Sequence, residues 1–184
     1  MLCDIENTMK KKISIVIGVL IVILIVSVAI TESGKIRGTE EILDFAYEEI
    51  PIKGIPKEYY SIAGSVTKDN ILLVWIMLGS EYNGRYYYPI EFNILKDDVY
   101  TLKHKYNYAD GVHMPDIRYL FWGIDEYVFM GNNPECEYIN IYDEKMEQTQ
   151  IKVDSIPFVY YFDEPLGDRW EFKFIGYNGE VIAE

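Results

Sequence analysis

No disulfide can staple the long C-terminal part of this chain. Cysteine occurs twice in 184 residues, as Cys3 and Cys136, and only Cys136 follows the apolar segment that divides the chain. A single cysteine in a globular part behaves as a small buried hydrophobe. Stapling is the habit of small secreted domains, and its lack points to a bacterial envelope rather than a eukaryotic secretory route.

Histidine is as scarce, with His104 and His113 alone. Together with Asp110 and Asp116 they supply the ligand types of a divalent metal site. Their spacing fits no compact ligand motif, however, and Asp110-Gly111 reads as a turn, so no metal or other cofactor is expected. Ser61, Ser65, Ser80 and Ser155 lie in no G-x-S-x-G context. Cys136 follows Asn-Asn-Pro-Glu rather than a helix start that would lower its pKa. Asp163-Glu164 near Asp168 reads as a solvated acidic loop. The sequence has no EF-hand spacing, no Walker loop, no G-x-G-x-x-G, no internal repeat and no low-complexity tract.

Positive charge is in short supply, with 17 Lys and Arg against 30 Asp and Glu. The first 30 residues carry Lys10, Lys11 and Lys12 against Asp4 and Glu6, a net +1, so the rest holds −14 of the whole-chain −13. A surface that acidic repels phosphate backbones, and nucleic acid is not an expected partner. Cations, basic peptides and neutral glycans are compatible with it.

What the chain does have is one long apolar run. Residues Ile13 to Ile30 carry no charge and follow the three lysines directly. Eighteen residues at helical rise span roughly 27 Å, close to a hydrocarbon core of about 30 Å. The run is apolar all round, unlike the striped helix of a soluble protein. Lysines before it and Glu32 after it orient the N-terminus to the cytoplasm. The expected organisation is a cytoplasmic tail (1–12), a transmembrane signal anchor (13–30), a linker (31–38) and an extracytoplasmic β-rich domain (39–184). Ser27-Val28-Ala29 offers a cleavage pattern for the alternative of a removed signal peptide. In both cases the domain is exported.

Beyond the linker, Thr39 followed by Glu40-Glu41 opens a short helix, with Thr39 as N-cap and Ile42, Leu43, Phe45 and Ala46 on the apolar side. Pro51, Gly54 and Pro56 end it. Strands follow. Ile71–Leu78 is apolar on both alternating faces, the pattern of a central strand covered on both sides. Asn83-Gly84 marks a hairpin into Tyr86–Leu95. In that strand Tyr86, Tyr88, Ile90, Phe92 and Ile94 share one face, and Tyr87, Pro89, Glu91 and Asn93 the other. Pro89 lacks a ladder donor, which suggests an edge or bulged strand. Further strands are expected at Val99–Tyr106, Ile117–Trp122, Tyr127–Met130, Glu137–Tyr142, Thr149–Val153, Phe158–Phe162 and Trp170–Ile175, and Asn178-Gly179 turns into Glu180–Ile182. This rhythm predicts a mainly β fold, an antiparallel β-sandwich or open barrel with one short N-terminal helix.

Aromatics are abundant, with 17 Tyr, 8 Phe and 3 Trp. Tyrosine presents a flat apolar body with a polar tip, suited to sugars and protein interfaces. With Tyr86 and Tyr88 turned to the core, Tyr82 and Tyr87 are the candidate binding surface. The expected function is a non-enzymatic interaction module of the bacterial cell envelope, anchored in the membrane and binding a protein, peptide or glycan. The alternatives are an envelope hydrolase using acidic residues, or an accessory of a membrane signalling or immunity system.

Overall fold

The computed structural model describes residues 17–23, 34–50, 55–79, 86–106, 117–123, 126–164 and 169–184. The chain divides into two compact units, Met1–Lys35 and Ile36–Glu184. In the first, residues 17–23 are helical, and Ile17, Val19, Leu20, Ile21, Val22 and Ile23 are all exposed. Among the described residues no helix is long and apolar enough to cross a membrane. Lys10, Lys11, Lys12, Ile13 and Ile30 lie outside the described residues.

The second unit is mainly β, with two short helices, α1 (Gly38–Glu49) and a 3-10 turn (Lys57–Tyr59). Helix α1 begins one residue before Thr39. Arg37 takes the capping position with extended backbone, and its N–H donates to Glu41 Oε2 at 2.6 Å, so an acidic side chain reaching back replaces the expected threonine cap. Ile42 and Ala46, one turn apart, are buried, and Leu43, Phe45 and Ile50 pack beside them.

Among the described residues twelve strands form three open sheets. The first holds β1 (Lys35–Arg37), β5 (Val99–Lys105), β4 (Tyr86–Lys96), β3 (Ile71–Leu78) and β2 (Tyr60–Lys68), in that order. The middle sheet is β10 (Phe158–Phe162), β7 (Tyr127–Gly131) and β6 (Ile117–Phe121). The third is β12 (Val181–Ala183), β11 (Glu171–Gly176), β8 (Cys136–Tyr142) and β9 (Gln148–Lys152). Every strand pair with a described register is antiparallel. The expectation of antiparallel sheets holds. Among the described residues the sheets are not closed.

Three cores follow from this stacking. Helix α1 covers the first sheet through Leu72, Val74, Ile76, Leu78, Ile90 and Phe92. The opposite face, with Leu73, Trp75, Met77 and Tyr87, packs on Leu120, Trp122, Val128 and Met130 of the middle sheet. The middle sheet's other side presents Ile117, Tyr127, Phe129 and Phe158 to Ile139, Ile141, Phe172 and Phe174 of the third. Strands β3 and β7 are therefore covered on both faces, which is why both read as unbroken apolar runs. At the edge, Gly64 follows a bulge in β2, and a Cβ there would come within 2.5 Å of Val159 on β10. Glycine thus permits the close approach of the first and middle sheets.

Strand β4 is interior, between β3 and β5, which corrects the edge reading drawn from Pro89. The carbonyl of Pro89 accepts from the Tyr106 N–H, one residue past the end of β5. A strand residue's N–H and C=O point the same way, so the missing donor faces a place where the ladder has already stopped. Bulges interrupt the β4–β5 pairing between Glu91 and Phe92 and between Ile94 and Lys96, as the bulged alternative required. The final hairpin forms as expected, with Gly179 at φ +77° in the turn between β11 and β12. The Asn83-Gly84 turn lies outside the described residues.

Candidate functional site

The expected tyrosine surface is not where the structure places exposed rings. Tyr86 and Tyr88 do face the α1 core. Tyr87, on the other face, is only 3% exposed, because that face meets the middle sheet instead of solvent. Its ring lies 4.9 Å from Trp75, centroid to centroid, and the Arg118 guanidinium lies 5.4 Å from the Tyr87 ring centroid. Tyr82 lies outside the described residues. His104 is exposed and meets Tyr106 edge-on, while His113, Asp110 and Asp116 lie outside the described residues. Among the described residues no three His, Cys, Asp or Glu side chains gather as a metal site. Cys136 is 1% exposed within the core between the middle and third sheets, and burial pushes its thiol up to about 11.

The aromatic surface is built instead where the middle and third sheets meet. In β6, alternation sends Ile117 and Tyr119 toward the third sheet and Leu120 toward the first. In β11, Phe172 and Phe174 turn inward, while Glu171 is exposed and Lys173 half-buried. Trp170, just before β11, extends the inward row by one ring. It stacks on Phe172 at 5.4 Å with planes 27° apart, and Tyr127 approaches it at 4.5 Å. Tyr119 and Phe121 meet it edge-on, at 6.2 and 6.1 Å. Phe121 is 57% exposed, a large apolar ring left at the margin.

Beside this cluster runs an open groove of about 470 Å³, lined by Tyr119, Trp170, Glu171, Phe172, Lys173 and Glu184. Its walls join flat apolar rings to two carboxylates and an ammonium. Lys173 Nζ lies 4.0 Å from Glu171 Oε2 and 5.6 Å from the Tyr142 ring centroid. Rings held by other rings present a rigid surface, so a ligand loses little freedom of the protein on binding. Aromatic faces accept the C–H side of a sugar, and the charged tips accept or donate to its hydroxyls.

Trp170 and Tyr119 were not identified as candidates from sequence. The signal was the alternation Trp170, Phe172, Phe174 against Glu171 and Lys173, which marks one aromatic face of a strand. Compared with protein-family models, with curated proteins and with solved structures, the chain has no match.

Proposed function

We propose that this chain is a non-enzymatic binding module of the bacterial cell envelope that takes a glycan in the groove beside Trp170. In this reading residues 13–30 are a single membrane helix, the N-terminal tail is cytoplasmic and the 39–184 domain stands outside the cell. The placement rests on the uncharged run behind Lys10, Lys11 and Lys12. The observation that carries the binding role is the groove itself, in which Trp170 and Tyr119 stand beside Glu171, Lys173 and Glu184. Its size falls within the usual range of small-ligand sites, roughly 300–1,000 Å³.

A second reading, an envelope hydrolase, is favoured by the two carboxylates, Glu171 and Glu184, in that same groove. One experiment addresses both. The full chain in detergent is incubated with wall-derived oligosaccharides, and binding and cleavage are followed together. Retention without cleavage, lost in Trp170→Ala, supports the binding module. Cleavage lost in Glu171→Gln replaces it with the hydrolase. Neither binding nor cleavage removes the groove from consideration.

A further inference from the structure

A second cleft opens where the first and middle sheets meet, and it shares no residue with the groove. Two ion pairs converge on it. Glu91, on β4, is 4% exposed on a face otherwise given to Tyr87 and Pro89. It accepts a hydrogen bond from the Tyr106 hydroxyl, and Lys103 Nζ lies 3.0 Å from its Oε2. Lys68, the last residue of β2, pairs with Glu126, which precedes β7. These four charged side chains, with Ile71 and Trp122 as apolar wall, enclose about 220 Å³, and Asp69 stands at the exposed rim.

Two groups at the cleft hold their protons for reasons the geometry shows. Lys68 is raised chiefly by its hydrogen bond to Glu126, and so remains an ammonium. Tyr106 is raised by burial and then by Glu91, so its hydroxyl keeps the proton it donates. Gly123 holds φ +100°, and a Cβ there would lie 2.9 Å from Glu126 Oε2, so the carboxylate is folded back over a residue that has to be glycine. Beside this pair stands the buried Tyr161 hydroxyl, and Lys68 Nζ lies 5.7 Å from the Tyr161 ring centroid.

Glu91 is buried, but both lysines keep a third or more of their side chains exposed, and partly exposed ion pairs contribute little to stability, so these pairs leave room for a role beyond it. Here two ammonium groups and two carboxylates, with the Asp69 carboxylate at the rim, face a space smaller than drug-sized ligands fill. A singly charged guest answers one sign and is repelled by the other. A molecule with both charges answers both, through charge-assisted hydrogen bonds.

We infer that this cleft binds a small zwitterion of the free α-amino acid class. The ligand's ammonium is received by Glu91 and Glu126, its carboxylate by Lys68 and Lys103, and its side chain lies against Trp122 and Ile71.

The test is calorimetric titration of the full chain in detergent with L-alanine and L-leucine, and with propionate and propylamine as singly charged counterparts. Saturable binding of the amino acids is expected, with each counterpart about tenfold weaker or worse. Glu126→Gln and Lys68→Gln are each expected to weaken amino-acid binding about tenfold, with the circular dichroism spectrum unchanged. Lys68 is partly exposed, so its replacement tests the cleft without opening the core. No saturable heat with either amino acid overturns the inference. So does equal binding of propionate or propylamine, or undiminished affinity in both folded variants. Failure here leaves the groove reading standing, since the two sites are separate.

Discussion

Trp170 stacks on Phe172, ring centroids 5.4 Å apart and planes 27° from parallel, although the two side chains differ in burial. Phe172 is 9% exposed and belongs to the core between the middle and third sheets, while Trp170 is half-buried and lines the groove. Both rings line the groove, but Phe172 is the more deeply buried, so replacing each shows how stability and binding divide between them. Phe172→Ala is expected to cost about 3–4 kcal/mol in urea unfolding. Trp170→Ala is expected to cost roughly half of that, since only part of its ring is buried, while removing glycan binding.

Tyr87→Ala should behave as a core truncation. With the ring 3% exposed against Trp75, a loss of about 3 kcal/mol is expected by chemical denaturation, with no change in ligand affinity at the groove. A loss under 0.5 kcal/mol, the range of ordinary surface changes, would contradict the buried placement.

How far the sequence reaches is shown by the same strand. The alternation of Tyr86, Tyr88, Ile90, Phe92 and Ile94 identified the α1-facing side correctly. The opposite side read as exposed because strand faces alternate, and nothing local in that strand says that a further sheet covers it. Ile71–Leu78 carried the needed hint, since a strand apolar on both faces requires two covers. The groove was hidden for a different reason. Its walls come from β6 and from the start of β11, strands of different sheets and distant in sequence, and no local periodicity encodes that meeting.

Alkaline pH should weaken the domain through Cys136. Its folded value of about 11 lies above the ordinary 9.0, because burial disfavours the thiolate. The stabilising contribution is complete below pH 9 and is lost as pH rises toward 11. At 1.36 kcal/mol per unit it amounts to about 3 kcal/mol. Comparing urea midpoints at pH 8 and 11 checks this, and Cys136→Ala is expected to flatten that part of the decline.

Gly123→Ala is expected to destabilise by about 1–3 kcal/mol, because alanine has to adopt the φ of +100°. The added methyl group meets the Glu126 carboxylate, so the Lys68 pairing should loosen as well. Thermal melts of Gly123→Ala and Glu126→Gln, alone and together, measure the coupling. Strict additivity within about 0.5 kcal/mol would mean that the glycine serves the backbone alone.

Reporter fusions at Glu184 address placement. Alkaline phosphatase, which folds outside the cytoplasm, is expected to be active there. Replacing Lys10, Lys11 and Lys12 with glutamate should reduce that activity by weakening the orientation signal.

The most direct measurement is tryptophan fluorescence of the full chain during titration with wall-derived oligosaccharides. Trp75 and Trp122 are buried, so a change on binding reports chiefly on the half-buried Trp170. A saturable shift in the native chain that disappears in Trp170→Ala is the predicted result. A flat titration, or a shift that persists without Trp170, would contradict a glycan-binding groove.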